Sequence, residues 1–327
     1  MNPFHYTRAK SAAAAVVAIG ATSGSRFVAG GTNILDLMKI DVESPSVLVD
    51  INALPLRAIE RRGGGVFIGA LARMSDVAAD PTVRSAYPAI AIALDESASP
   101  QLRNMASIGG NVLQRTRCPY FRDVATPCNK RAPGSGCGAL HGVNRQQAVL
   151  GTSEHCIATH PSDLAVALVA FDAVLHLTSR TGSREVALRR FYRLPGATPQ
   201  IENVLEPGEL ITGVSIPGLP FATNSTYLKV RDRAQYEFAL ASAAVALDVA
   251  AGTIRASRVA LGGVGTAPWR SAEAEAVLAN APATRQTYEK AADAALASAE
   301  GHGMNDFKIP LAKRTLVRAL EVVSAGA

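Results

Sequence analysis

The stretch Phe27–Leu37, FVAGGTNILDL, decides how this chain is read. Phe27 and Val28 end a run with strand character, and Ile34 to Leu37 begin a helical one. Between them Ala29, Gly30, Gly31, Thr32 and Asn33 offer consecutive backbone N–H groups with few Cβ atoms in the way. A loop of that kind, with a hydroxyl and an amide added, is equipped to cradle a phosphate or pyrophosphate. The plainer reading is a Gly-Gly turn with Thr32 capping the helix that follows. The stretch is not the dinucleotide fingerprint G-x-G-x-x-G, and no G-x-x-x-x-G-K-S/T occurs in the chain. GGVG at 262–265 begins such a fingerprint, but Pro268 stands where its last glycine belongs, so a turn after a strand is the better reading.

Working outward, FHY (4–6), the alanine-rich run after Lys10, RFVAG and VLVDI (47–51) alternate as β, α, β, β. Arg8 and Lys10 ahead of the alanines resemble the start of a signal peptide. The run is short, however, with a strand before it and the glycine loop close behind, so it reads as the helix of a strand–helix–strand unit. No segment reaches the ~18 apolar residues of a membrane span. LRAIERRGGGVFIGAL (56–71) reads as a hairpin with Gly63–Gly65 supplying positive φ at the turn. Residues 75–98 carry helical periodicity broken by Pro81 and Pro88. Residues 101–160 read as one long irregular stretch, and a loop of that length in a compact domain points to function or to a metal in place of a core. A helix and a strand follow in HPSDLAVALVAFDAVLHLTS (160–179). Pro and Gly cluster at 217–224, a boundary. Beyond it lie two strands (242–264) and helices over 271–280, 284–299 and 305–323.

A chain of 327 residues with 48% hydrophobic and 18% charged residues is a folded globular protein of roughly two or three domains. The net charge of +6 permits an acidic partner or an anionic cofactor. The basic run from Arg103 to Arg131 lacks the interleaved aromatics of a nucleic-acid surface, so no nucleic-acid partner is expected.

Three further patches carry chemistry. NMASIGGN (104–111) repeats the glycine theme with Ser107, Gly110 and Asn111, and two such patches can close on the two ends of one extended diphosphate. Asp163 opens an apolar helix, where it either complements the helix dipole or accepts hydrogen bonds from a ligand. Lys229, in YLKVRDR (227–233), is either a surface lysine or a cation beside a ligand's electron-rich edge. The fourth feature is the cysteines. Cys118, Cys128, Cys137 and Cys156, separated by 9, 8 and 18 residues, all fall in the irregular stretch. They admit a [4Fe–4S] cube, a zinc site, disulfides or unconnected thiols. Zinc sites usually begin with a C-x₂₋₄-C pair, which is missing here. His141, His155 and His160 nearby read as hydrogen-bonding or capping residues.

With these residues in place, the chain resembles the flavin-binding medium subunits of the molybdenum hydroxylases, the family of xanthine dehydrogenase, carbon monoxide dehydrogenase and aldehyde oxidoreductases. VAGGTNILDLMK, QLRNMASIGGN, HPSDLAVAL and YLKVRDR carry the resemblance, in the family's order and over nearly the whole chain. Within the family it is most similar to the branch from bacterial periplasmic aldehyde oxidoreductases, which carries the cysteine-bearing insertion. The resemblance implies an α+β fold: a two-part FAD-binding domain of the vanillyl-alcohol-oxidase type (1–220, with subdomains 1–54 and 55–220 and an iron–sulfur insertion at 115–157), then a smaller α/β domain (221–327). It implies that Phe27, Val28, Ala29, Gly30, Gly31, Thr32, Asn33, Ile34 and Leu35 wrap the FAD pyrophosphate and that Ser107, Gly110 and Asn111 hold its other side. Asp163 would bond the flavin or its ribityl chain, and Lys229 would sit close to the isoalloxazine. Ser107 departs from the usual threonine and keeps the hydroxyl. Cys118, Cys128, Cys137 and Cys156 would hold a [4Fe–4S] cluster.

The implied activity is electron relay with no catalytic side chain. A partner subunit with a molybdenum cofactor would oxidise an aldehyde to a carboxylic acid. A small subunit with two [2Fe–2S] clusters would pass the electrons to FAD, and an external acceptor would take them. The location implied is the periplasm, by export with a signal-bearing partner, with the cytoplasm as the alternative. A stand-alone flavoprotein oxidase and a zinc-stabilised binding module are the competing functions.

Overall fold

The computed structural model describes residues 1–326. Its first unit is built around a three-stranded parallel sheet. The strands are β1 (His5–Arg8), β2 (Arg26–Val28) and β3 (Val47–Asp50), with β3 in the centre. Parallel neighbours need a crossover, and the alanine-rich run supplies it as α1 (Ala12–Ala21), capped by Ser11 accepting from the Ala14 N–H. α2 (Ile34–Lys39) is the second crossover. Ala15 and Val16 of α1 are buried with Val49, Ile51 and Leu54, which fixes the helix to the sheet.

β4 (Ile59–Arg62) and β5 (Gly65–Gly69) form the expected hairpin. Its turn is Gly63 and Gly64, with φ of +56° and +79°, while Gly65 already belongs to β5. Pro81 and Pro88 begin helices where interruptions were expected. α3 (Met74–Ala79), α4 (Pro81–Ala86) and α5 (Pro88–Asp95) follow in series, the last two with proline in the first turn, where its missing N–H costs nothing.

The stretch expected to be irregular is helical at its start. α6 (Pro100–Met105), α7 (Ile108–Val112) and α8 (Pro119–Arg122) are each too short to print a 3.6-residue pattern on the sequence. From 123 to 162 there is neither helix nor named strand, and then α9 (Asp163–Ala170) is buried on every side. β6 (Val174–Ser179), β7 (Gly182–Ala187) and β8 (Leu210–Ile216) join the hairpin in an antiparallel sheet of order β4-β5-β8-β6-β7. The largest core lies between this sheet, α5 and α9, with Tyr87, Phe171 and Phe191 fully enclosed.

The third unit is the antiparallel sheet β12-β11-β10-β9, with β9 (Ser225–Val230), β10 (Ala241–Ala250), β11 (Thr253–Gly262) and β12 (Trp269–Arg270). α10 (Ala272–Leu278), α11 (Arg285–Ala295) and α12 (Lys308–Ser324) cover it, burying Leu278, Tyr288, Leu316 and Leu320 against Val245 and Leu261. No helix among the described residues is long and apolar enough to cross a membrane.

Lys308, the first residue of α12, is fully buried and staples the irregular segment to this unit. Its Nζ donates to the carbonyls of Gln146 (3.1 Å), Gln147 (2.8 Å) and Gly263 (2.5 Å). Lys308→Met keeps the stem and removes the donors, leaving the Gly263 carbonyl unpaired in the interior, while Gln146 keeps the Thr159 hydroxyl (2.8 Å) and Gln147 the Asn305 amide (3.4 Å). The expected cost is about 1–3 kcal/mol, read as a lower denaturant midpoint at unchanged slope. A midpoint equal to that of the wild type would refute the staple.

Candidate functional site

A cavity of about 870 Å³ opens where the first unit faces the second. Its size lies toward the top of the ~300–1,000 Å³ range of cofactor sites. The loop after β2 forms one wall, with Phe27, Ala29, Gly30, Gly31, Thr32, Asn33 and Ile34 all lining it. Ser107, Gly110 and Arg115 line the opposite side.

The loop is shaped as the sequence suggested, and for a specific reason. A Cβ on Gly30 would stand 1.8 Å from the Met105 carbonyl oxygen, so only glycine lets the loop lie against the end of α6. Gly31 takes φ +74°, the left-handed conformation that turns successive N–H groups to one side. Among the described residues, the N–H groups of Gly30, Gly31, Thr32 and Asn33 donate to no protein acceptor. Thr32 does not cap α2. The N-cap is Asn33, and no side chain caps that end. The Asn33 Oδ1 accepts from the Arg115 N–H at 3.3 Å, while its Nδ2 is buried with no protein partner. Free donors lining one cavity fit the diphosphate of a dinucleotide.

The second glycine patch serves differently. Ser107 caps α7 by accepting from the Gly110 N–H at 3.2 Å, and the N–H groups of Ile108 and Gly109 donate to Ala72 and Ala70 carbonyls. Its backbone donors are spent within the protein, so Ser107 and Gly110 contribute wall and one hydroxyl, not a second nest of N–H groups. Asn111 is buried away from the cavity, accepting from the Ser162 hydroxyl at 2.5 Å. Val28 and Leu35 also turn away, into a small cluster with Met38 and Leu48.

Asp163 and Lys229 do not line the cavity. They meet each other, Nζ to Oδ2 at 2.8 Å, with side-chain exposures of 1% for Lys229 and 7% for Asp163. Tyr227 donates to the other carboxylate oxygen at 2.6 Å, Ser97 donates to Oδ2, and Lys229 also donates to the Glu96 carbonyl. Lys229 is not a surface lysine, and Asp163 stands in the first turn of α9, where it complements the helix dipole while the pair bolts α9 to β9.

The four cysteines line one small closed space, together with Tyr120, Phe121, Lys130 and His155. All four are free thiols, and Cys128 and Cys137 face each other across an isolated antiparallel bridge. Burial pushes the Cys118 thiol up to about 12, with Cys128 and Cys156 adding to the rise. Burial raises Cys156 as well, against the lowering pull of Lys130. Four sulfurs around one space, three of them buried and that of Cys137 half-buried, are the donor set of a soft metal or cluster. Among the described residues, no three His, Cys, Asp or Glu converge on a point suited to a single ion. Of the histidines, His155 lines the space and His141 is exposed. His160 is half-buried, edge-on against Tyr192, accepts from the Ser162 N–H, and is held neutral by desolvation of its ring with a pKa of about 3.

Sequence reasoning counted Arg115 only as one charge in a basic run. In the structure it joins Glu43 and Glu202 at the cavity edge. Glu202 lies 87 residues from Arg115 in the chain, so no local spacing announced the pair.

Residues 2–219 match the family of the FAD binding domain in molybdopterin dehydrogenase, and residues 226–323 the CO dehydrogenase flavoprotein C-terminal domain. The chain is 48% identical to the aldehyde oxidoreductase FAD-binding subunit of Escherichia coli (strain K12), over 100% of both chains. It is 28% identical to the carbon monoxide dehydrogenase medium chain of Hydrogenophaga pseudoflava, over 98% of this chain and 97% of that one. Among solved structures, a chain of reconstituted CO dehydrogenase from Oligotropha carboxidovorans superimposes over 100% of both chains with TM-score 0.79 and 27% identity.

Proposed function

Because this chain belongs to the FAD-binding medium subunits of the molybdenum hydroxylases, we propose that it carries electrons for a molybdenum-dependent aldehyde oxidoreductase. The aldehyde is oxidised to a carboxylic acid on a large subunit bearing the molybdenum cofactor. A small subunit with two [2Fe–2S] clusters delivers the electrons, and an external acceptor collects them. Bound FAD supplies the redox chemistry, and the protein supplies binding, orientation and electrostatics. The observation that carries this reading is the cavity walled by the Gly30–Asn33 loop, whose N–H groups and Asn33 amide have no protein acceptor. Those donors would hold the pyrophosphate. Ser107 and Gly110 would close the far wall, and the Asp163–Lys229 pair would brace the body behind it.

In this reading Cys118, Cys128, Cys137 and Cys156 hold a [4Fe–4S] cluster in an insertion at 115–157. Three features favour it: one shared space, walls from Tyr120 and Phe121, and a lysine to offset the negative charge of a thiolate-ligated cube. Zinc is the weaker reading, because such sites usually begin with a C-x₂₋₄-C pair and none occurs here. The chain divides at about 220 into a flavin domain and a smaller C-terminal domain. It works in the periplasm, exported folded with a signal-bearing partner, with the cytoplasm as the alternative.

Anaerobic addition of aldehyde tests the function. The co-purified complex should lose flavin absorbance within the mixing and turnover time, and the isolated subunit should not respond. Aldehyde turnover by the isolated subunit would overturn the subunit reading in favour of a stand-alone oxidase.

A further inference from the structure

A line of ion pairs joins the cysteine chamber to the large cavity. Lys130 forms part of the chamber wall, and its Nζ lies 3.2 Å from Glu202 Oε1. Glu202 receives Arg115 on both oxygens, from Nη2 at 3.0 Å and from Nε at 3.2 and 3.3 Å. The Arg115 Nη1 donates to Glu43 Oε1 at 2.5 Å, and Glu43 Oε2 lies 3.5 Å from Arg26 Nη2. Arg115, Glu43 and Arg26 line the large cavity. Cation and anion therefore alternate from one site to the other, through Lys130, Glu202, Arg115, Glu43 and Arg26.

Glu202 is the joint of this line. It sits in the loop between β7 and β8, and it reaches Lys130, between Cys128 and Cys137, on one side and Arg115, at the start of the insertion, on the other. Lys130, Arg115 and Glu202 have side-chain exposures of 13%, 22% and 23%, so water screens them poorly and the interactions are stronger than at a surface. Against burial, which pushes it up, Lys130 and Arg115 hold the Glu202 carboxyl below its ordinary value, so it stays ionised. A polar pocket of about 40 Å³, walled by Glu202, Lys130, Cys156 and His160, separates the two sites at this point and has room for a few waters.

We propose that Glu202 is a positioning residue shared by both redox sites: its one carboxylate sets Lys130 against the four cysteines and Arg115 against the flavin, and so couples their potentials. The proposal rests on the flavin and cluster assignment made above. Redox potentials of iron–sulfur centres follow local charge and hydrogen bonding, and flavin potentials follow nearby charge. Removing one anion that faces both sites leaves Lys130 with no carboxylate and Arg115 with Glu43 alone, a net gain of positive charge beside each site that raises both potentials together.

The test is redox titration of the co-purified complex, following flavin absorbance and the cluster's electron paramagnetic resonance in the same samples. Glu202→Gln is expected to raise both midpoint potentials, and Glu202→Asp, which keeps the charge, to return both toward the wild type. Lys130→Met provides an independent variant: it should lower the cluster potential and, by a smaller shift, the flavin potential. A Glu202→Gln shift at one centre only, or an aspartate variant that behaves like the glutamine one, would overturn the coupling. Iron and flavin contents are measured on each preparation. A wild-type complex with flavin but without four irons on this chain overturns the cluster assignment itself, and the coupling with it. Normal contents with unlinked potentials overturn the coupling alone.

Discussion

Gly30→Ala is expected to strip the complex of flavin while leaving the cysteine-bound iron in place. The added Cβ falls 1.8 Å from the Met105 carbonyl oxygen and 2.6 Å from its carbon. Both are backbone atoms, so no side chain can swing aside, and the whole loop must shift. Overpacking of this kind costs about 1–3 kcal/mol. Here the strain falls on the cavity-lining segment whose N–H groups have no protein acceptor, so it is taken from the binding free energy. At 1.4 kcal/mol per decade, FAD affinity should fall about 10- to 100-fold. Flavin-to-protein ratio after gel filtration reads it directly. Gly20→Ala is the control: Gly20 lines the same cavity, yet a Cβ there meets nothing within 4 Å, so flavin should be retained. Equal flavin in both variants would remove the loop from the binding site.

The second large effect is expected at Cys118. Cys118→Ser replaces a thiolate ligand with a hydroxyl that does not ionise in a buried site, and the cluster should be lost, about four irons per chain. Structural consequences follow from how little else holds this segment. From 123 to 162 no helix or named strand supplies a ladder. Of the eight buried members of the local core, Cys118, Cys128 and Cys156 are three; Leu37, Phe121, Ala139, Ile157 and Ala158 are the rest. With the cluster gone, that core is too small to order the loop, and limited proteolysis should cut between Asp123 and Glu154 first. The Lys308 staple at Gln146 and Gln147 should confine the opening to this segment, so FAD is retained. Unchanged iron in Cys118→Ser would remove this residue from the ligand set.

The parts legible in the sequence were those with a strong local signal. Strand–helix alternation around FVAGGTN gave the parallel unit, because a parallel pair requires a crossover and the alanine run was the only candidate nearby. Gly30 and Gly31 marked a turn with exposed N–H groups, and the turn is there, with Gly31 at φ +74°. That Gly30 is needed for the approach of the Met105 carbonyl was not legible, because α6 lies 70 or more residues away. The edge strand β7 was missed since GSREVA is largely exposed and has no apolar face to alternate. Helices α6 to α8 were missed for their shortness. At the site, Lys229 was weighed as surface or ligand-facing, and the buried pair with Asp163 lay outside both readings because its partner is 66 residues away. The same distance problem hid Glu202, whose importance comes entirely from what Lys130 and Arg115 bring to it.

The central claim is that one chain holds both a flavin and a four-iron cluster. Flavin, iron, sulfide and zinc analysis of the co-purified complex tests it most directly. The account predicts about one FAD and about eight irons per complex, four of them on this chain beyond the two [2Fe–2S] clusters of the small subunit, with matching sulfide. Flavin with only the small subunit's irons, and one zinc per copy of this chain, would contradict it.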